Sequence, residues 1–363
     1  MILTLLVAAA VVSLVAAWLH YRYWVGRFSL ELDYTLVERV PTEDGSAVEL
    51  RRLPGGEGST APPVLLVHGL ALNHRNNDLR EDLSLGRHLA REGRDVWLLT
   101  LRSGRDDLRW REERAATFEA MARHDLPVGV REVLARTGAA QLDYVGFSMG
   151  GILLYASLGR TVAPDALRRA VTIGSPARVR PPLAMLALVA RMLPHWLVPT
   201  LRLRLASRMI AFAAEWVHTP AHRWIYNVEN VEPGLAAQAL VNGFVNIPSG
   251  LAKEFVRWAR DGGDVRFERT PVTETLRAVS TPALLVAGRD DRLAPPDCVA
   301  LAFDAWGADV GSVDKQMIVA GVDEGCAADY GHGDLAIGRF ADQDVFDPVA
   351  RFLAARDAVG VEA

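Results

Sequence analysis

A serine stands between glycines in Gly146-Phe147-Ser148-Met149-Gly150, after the apolar run Leu142–Val145 and before the helix-like segment GILLYASLG. A G-x-S-x-G pentapeptide in a strand–turn–helix setting lifts the serine hydroxyl above the edge of a sheet. The turn is so sharp that side chains at Gly146 and Gly150 would run into neighbouring backbone. The hydroxyl then stands at the start of a helix, whose dipole favours negative charge. A serine hydroxyl is a weak nucleophile until a base takes its proton. The pattern therefore calls for a carboxylate and then a histidine further along the chain, in that order.

Both follow. The apolar run Ala283–Ala287 leads into Gly288-Arg289-Asp290-Asp291-Arg292, and Gln316–Ala320 leads into Tyr330-Gly331-His332-Gly333-Asp334. His332 is the only histidine after His222. Asp291 is the expected acid, with its neighbour Asp290 as the alternative. Asp291 would accept Nδ1–H of His332 and fix its tautomer, and His332 would take the Ser148 proton and return one to the leaving group. Acyl transfer also needs donors for a tetrahedral oxyanion. The expected pair is the backbone N–H of Met149 and that of Leu70, in the loop Val67-His68-Gly69-Leu70-Ala71. His68 precedes the serine and is read as a structural residue of that loop. The constellation needs neither a metal nor an organic cofactor.

These loops need a scaffold. Leu32–Val40 and Ala47–Leu53 read as two strands joined at Glu43-Asp44-Gly45-Ser46 and followed by the Gly/Pro-rich loop PGGEGSTAPP. Short apolar runs recur at Val64–Val67, Val96–Thr100, Leu142–Val145, Ala170–Ile173, Ala283–Ala287 and Gln316–Ala320. Strands apolar on both faces belong to a sheet covered on both sides. Helical patterns such as Leu79–Glu92 and Leu126–Thr137 lie between them, so the expected class is α/β, a doubly wound and mostly parallel sheet. The alternation breaks from residue 176 to about residue 270, a stretch of helical pattern read as a cap inserted between two parts of the core, 28–175 and 271–363. Within it LVPTLRLRLASRMIAFAAEWV spaces Arg202, Arg204 and Arg208 among apolar residues. It reads as an ordinary packed cap helix with snorkelling arginines, against the alternative of a membrane-contacting face.

The N-terminal residues 2–19, ILTLLVAAAVVSLVAAWL, carry no charge and match the ~17–25 residues of one bilayer crossing. Tyr21, Tyr23 and Trp24 then flank Arg22, with Arg27 beyond, as at the end of a span. Residues 1–27 are therefore read as a retained membrane anchor. Export after signal cleavage is the alternative, but a basic n-region and a clean cleavage site are missing. With basic residues only after the span, the rest of the chain is expected on the cytoplasmic side. The 363 residues carry a formal net charge of −4, which gives no footprint for nucleic acid. Cys298 and Cys326 form no disulfide framework or metal-ligand spacing, slightly favour a reduced compartment, and read as small buried hydrophobes. The sequence leaves oligomeric state open.

Beyond the candidate triad, LLVHGLALNHRNND, LAREGRDVWLLTLRSGR, FEAMARHDLPVGVREVLARTGAAQLDYVGFSMGG and YGHGDLAIGRFADQDVFDPVARFL resemble segments of the acid lipase branch of the α/β-hydrolases, the group of lysosomal acid lipase and gastric lipase with bacterial relatives. The resemblance runs from about Pro62 to Pro176 and from Thr281 to the C-terminus, and is poor in the cap. It implies an α/β-hydrolase fold with an inserted cap and a carboxylesterase or lipase working through a Ser-bound acyl intermediate. Met149 departs from the Gln usual in the animal lipases, and their secreted location and acidic working pH do not carry over. Polyhydroxyalkanoate synthases are similar in outline but use Cys where this chain has Ser148, and epoxide hydrolases and dehalogenases need a carboxylate there. The expected substrate is a lipid-like acyl ester. Thioesterase or acyltransferase chemistry on the same residues is one alternative, and a non-catalytic relative serving as a binding protein is another.

Overall fold

The computed structural model describes residues 1–56, 60–180, 198–219 and 222–355. Parts of the expected Gly/Pro-rich loop, cap and C-terminal segment thus lie outside the described residues.

Eight strands form one sheet: β1 (Leu36–Pro41), β2 (Ala47–Leu53), β3 (Val64–Val67), β4 (Val96–Thr100), β5 (Leu142–Phe147), β6 (Leu167–Ile173), β7 (Ala283–Gly288) and β8 (Lys315–Ala320). Their order is β1-β2-β4-β3-β5-β6-β7-β8, antiparallel at β1/β2 and β2/β4 and parallel elsewhere. β3, β4, β5 and β7 are buried along their length. Successive residues point to opposite faces of a strand. Leu65, Val67, Leu99 and Leu285 enter one apolar cluster, while Val64, Leu66, Leu98 and Leu284 enter the other. Two cores sandwich the sheet, which is why these runs lack polar–apolar alternation. β8 is an edge strand, and its Gln316 is exposed.

The helices that matter below are α1 (Ile2–Phe28), α2 (Leu85–Arg91), α3 (Leu126–Thr137), α4 (Met149–Ser157), α5 (Leu203–Ile210), α6 (Leu235–Asn242), α7 (Ser249–Arg260), α8 (Pro296–Ala305) and α9 (Asp347–Ala354). Two expectations shift. β1 begins at Leu36 rather than Leu32, because pairing with β2 starts at Leu36↔Arg52. The helical pattern Leu79–Glu92 becomes a helix only from Leu85. Ser84 is its N-cap, accepting from the Arg87 N–H at 3.0 Å while its hydroxyl donates to buried Asp78 at 2.7 Å.

Between β6 and β7 the described residues are helices and irregular segments, apart from a two-residue hairpin pairing Arg266–Phe267 with Thr270–Pro271. Two segments that carry the family resemblance meet elsewhere in the core. Arg102 donates through its backbone N–H (2.8 Å) and Nε (2.7 Å) to Asp125, and both side chains are buried. Burial pushes the Asp125 carboxyl up to about 6 against the pull of Arg102. This pair ties the loop after β4 to the start of α3. Cys298 is buried and Cys326 half-buried, each a free thiol.

Candidate active site

The loops expected to carry chemistry all leave the carboxyl ends of parallel strands. Ser148 follows β5, Asp291 follows β7, His332 lies beyond β8, and Gly69-Leu70 follows β3. In open α/β sheets this edge is where ligands sit, near the point where strand order reverses; here β3 occupies that point.

Ser148 has φ 50° and ψ −113°, a conformation L-residues avoid. Its surroundings hold it there. The Ser148 N–H donates to Ile173 O at 2.7 Å, and Tyr144 Oη donates to Gly150 O at 2.7 Å. A methyl group at Gly146 would collide with the Gly151 amide nitrogen, and one at Gly150 would lie 2.5 Å from Val67 O. The two flanking glycines are therefore obligatory for close backbone approach.

His332 Nε2 lies 3.0 Å from Ser148 Oγ, and its Nδ1 lies 2.7 Å from Asp291 Oδ2. Ser148 and His332 are half-buried, whereas Asp291 is 3% exposed. The other Asp291 oxygen accepts the N–H groups of Leu293 (2.8 Å) and Ala294 (2.7 Å). Asp291 is thus fixed by its own loop, with one oxygen left to orient the imidazole. The neighbouring Asp290 carboxylate is exposed.

The β3 loop packs against the serine; a methyl group at Gly69 would lie 3.2 Å from Ser148 Cβ. Ala71 takes φ 61°. Among the described residues, neither the Leu70 nor the Met149 N–H donates to a backbone acceptor. Two free main-chain donors beside a serine–imidazole pair can stabilise negative charge on a carbonyl oxygen; losing one such donor costs ~2.7–4 kcal/mol of barrier. His68 is fully buried, with Nδ1 2.8 Å from Gly69 O and Nε2 accepting the Leu101 N–H at 3.0 Å. Those partners assign the proton to Nδ1. Burial pushes His68 down to about 4, so it stays neutral and supports the loop.

Sequence reasoning gave no role to Asn76 or Asp334. Asn76 Oδ1 accepts the Gly69 N–H at 3.0 Å and braces the β3 loop. Asp334 is fully buried and accepts from the Gly331 N–H (3.1 Å), the Asn227 N–H (3.0 Å) and Asn230 Nδ2 (3.0 Å). It therefore ties the His332 loop to the inserted segment, where the Gly333 N–H also donates to Ile225 O at 2.6 Å. The one available signal was its position two residues after His332.

Burial pushes Asp334 up to about 6 despite those donors. An unfolded aspartate titrates near ~3.9, so the folded chain holds this proton more tightly. The resulting stabilisation is full below about pH 4 and is lost as pH rises through about 6. Asp334→Asn is therefore expected to melt with a flatter pH dependence than the wild type between pH 4 and 7. Thermal unfolding across that range checks this, and parallel curves would rule it out.

A family model described as alpha/beta hydrolase fold matches residues 62–319, which include Ser148 and Asp291. Human gastric triacylglycerol lipase is 38% identical over 125 residues, 31% of this chain and 31% of that one. Human lysosomal acid lipase/cholesteryl ester hydrolase is 35% identical over 130 residues, again 31% of each chain. The chain thus matches about a third of the length of these relatives. Among solved structures, an esterase from Thermogutta terrifontis aligns with TM-score 0.54 and 20% identity, covering 88% of this chain and 98% of that one. A membrane phospholipase A described as a bacterial virulence factor aligns with TM-score 0.54 and 17% identity, covering 97% and 96%.

Proposed function

Because this chain belongs to the alpha/beta hydrolase fold family, we propose that it hydrolyses carboxylic esters of lipid-like acyl groups through Ser148, His332 and Asp291. The observation that carries this reading is the 3.0 Å approach of His332 Nε2 to Ser148 Oγ, with Asp291 2.7 Å behind the ring. Ser148 Oγ attacks the ester carbonyl carbon as its proton passes to His332 Nε2. Asp291 stabilises the imidazolium and holds its tautomer. The oxyanion accepts the N–H groups of Leu70 and Met149. Collapse breaks the acyl–oxygen bond, and the departing alcohol takes the proton from His332. Water, deprotonated by His332, then attacks the acyl-Ser148 ester and frees the acid and the serine.

Support for a lipid-like acyl group comes from the relatives named for triacylglycerol and cholesteryl ester substrates. It also comes from α1, long and apolar enough to cross a membrane, with none of its most apolar 18-residue window buried. We read residues 1–27 as an anchor, 176–270 as a cap, and 28–175 with 271–363 as the hydrolase core on the cytoplasmic side, from the placement of Arg22 and Arg27 after the span.

A panel of esters, thioesters and alcohol acceptors of varied chain length tests the activity. Ester hydrolysis with water as acceptor is expected to dominate and to rise with acyl length. Faster turnover of thioesters, or transfer to added alcohols in preference to water, would replace the esterase reading with one of its two neighbours.

A further inference from the structure

Helix α5 is turned the opposite way from a helix on a water-facing surface. Its polar groups point at the protein: Arg204 pairs with Asp106 at 2.5 Å, Ser207 Oγ donates to Leu240 O at 2.9 Å, and Arg208 Nε donates to Val241 O at 3.1 Å. Arg202, just before it, pairs with Glu113 at 2.7 Å. Its apolar residues point away. Leu205, Met209 and Ile210 are 55–58% exposed, and Trp216 beyond them is 72% exposed. Leu205 and Met209 are spaced four apart, which puts them on one face of α5. In water this orientation leaves apolar surface uncovered, which is unfavourable, and contiguous exposed apolar patches mark interaction sites.

The position of the patch indicates its partner. Phe212, two residues after α5, makes an edge contact with His20 of α1 at 4.7 Å and lies 6.3 Å from Trp24. The end of α1 is fixed to the same support: Asn242, at the end of α6, donates to Phe28 O at 2.8 Å and accepts the Leu30 N–H at 2.9 Å. α6 in turn receives the Ser207 and Arg208 bonds. Trp18, Leu19 and Tyr23 of α1 are exposed beside this junction. The apolar face of α5 is therefore continuous with the exposed apolar surface of α1 at the level of its aromatic end. Trp and Tyr at that level belong to the membrane–water boundary.

We propose that α5 and Trp216 dock flat on the phospholipid surface at the point where α1 leaves the bilayer, giving the enzyme two membrane contacts and turning the inserted segment toward the lipid. This rests on the reading of α1 as a retained anchor. It replaces the expectation of an ordinary packed cap helix: the side chains of Arg204 and Arg208 are drawn to Asp106 and to the Val241 carbonyl rather than snorkelling along the apolar face. A lipid-like substrate would then reach Ser148 from the bilayer side, since the same inserted segment contacts the His332 loop through Ile225 and Asn227.

The test uses the full chain in phosphatidylcholine–phosphatidylglycerol vesicles, with Cys298→Ala and Cys326→Ser to remove native thiols. Nitroxide labels go singly at Leu14→Cys, Met209→Cys, Trp216→Cys and, as an aqueous reference, Arg257→Cys on α7. Collision with oxygen, which concentrates in lipid, is compared with collision with a water-soluble nickel chelate. Docking is expected to give labels at 209 and 216 a several-fold lower nickel collision rate than the label at 257, with high oxygen collision. Nickel access at 209 and 216 equal to that at 257, while the label at 14 is in hydrocarbon, overturns the docking and spares the anchor. Low access to both reagents at 209 means burial against a second copy and also overturns it. Nickel access at 14 sinks the anchor reading itself, whatever the labels on α5 report.

Discussion

Ser148→Ala is expected to lower kcat for ester hydrolysis by about a million-fold, the scale of loss when the nucleophile of such a triad is removed, while the chain keeps its fold. The reason is the division of labour at the elbow. Oγ is the only atom of Ser148 proposed to react, whereas its backbone is held by the 2.7 Å bond to Ile173 and by the glycines on either side. That backbone sits at φ 50°, a strain of about 1–3 kcal/mol for a residue with a Cβ. Ser148→Ala keeps the strain and Ser148→Gly relieves it. Both should be inactive, and the glycine variant should melt at the higher temperature. Steady-state kinetics with a p-nitrophenyl acyl ester and thermal unfolding of both variants check this. Retained turnover in Ser148→Ala would end the assignment.

The second large effect separates two adjacent carboxylates. Asp291→Asn should cost about ten-thousand-fold in kcat near neutral pH. An amide can keep the bonds from the Leu293 and Ala294 N–H groups through its remaining oxygen, so the loop survives. Its nitrogen would then face His332 Nδ1 as a donor and select the tautomer with the proton on Nε2. That tautomer cannot accept the Ser148 proton. Asp290→Asn, with its exposed side chain, should leave kcat within about twofold, as surface changes do. Comparing the two variants at several pH values decides between them. A larger loss in Asp290→Asn would reverse the assignment of the acid.

The fold was legible in the sequence, and so was the chain order of the candidate site residues, because each signal was local. The runs at Val64–Val67, Val96–Thr100 and Ala283–Ala287 coincide with sheet strands, since a strand buried on both faces must be apolar throughout. The flanking glycines of Ser148, and the order of serine, acid and histidine, are constraints on backbone and topology that sequence states directly. What could not be read depends on contacts between distant residues. Asp334 matters through Asn227 and Asn230, more than a hundred residues away. The orientation of α5 is ambiguous in sequence because Arg204 and Arg208 are interleaved with apolar residues; Asp106 and the Val241 carbonyl decide which way their side chains turn. The late start of α2 likewise depends on Asp78 meeting Ser84 outside any periodic pattern.

Covalent capture tests most directly whether Ser148 Oγ is the electron-pair-donating nucleophile of an imidazole-activated site. The full chain is treated with an alkyl fluorophosphonate and the modified peptide is identified by mass spectrometry. One phosphonyl group on Ser148 is expected, forming far more slowly in Asp291→Asn. A protein that turns over esters while Ser148 stays unmodified, or that carries the adduct on another residue, would contradict it.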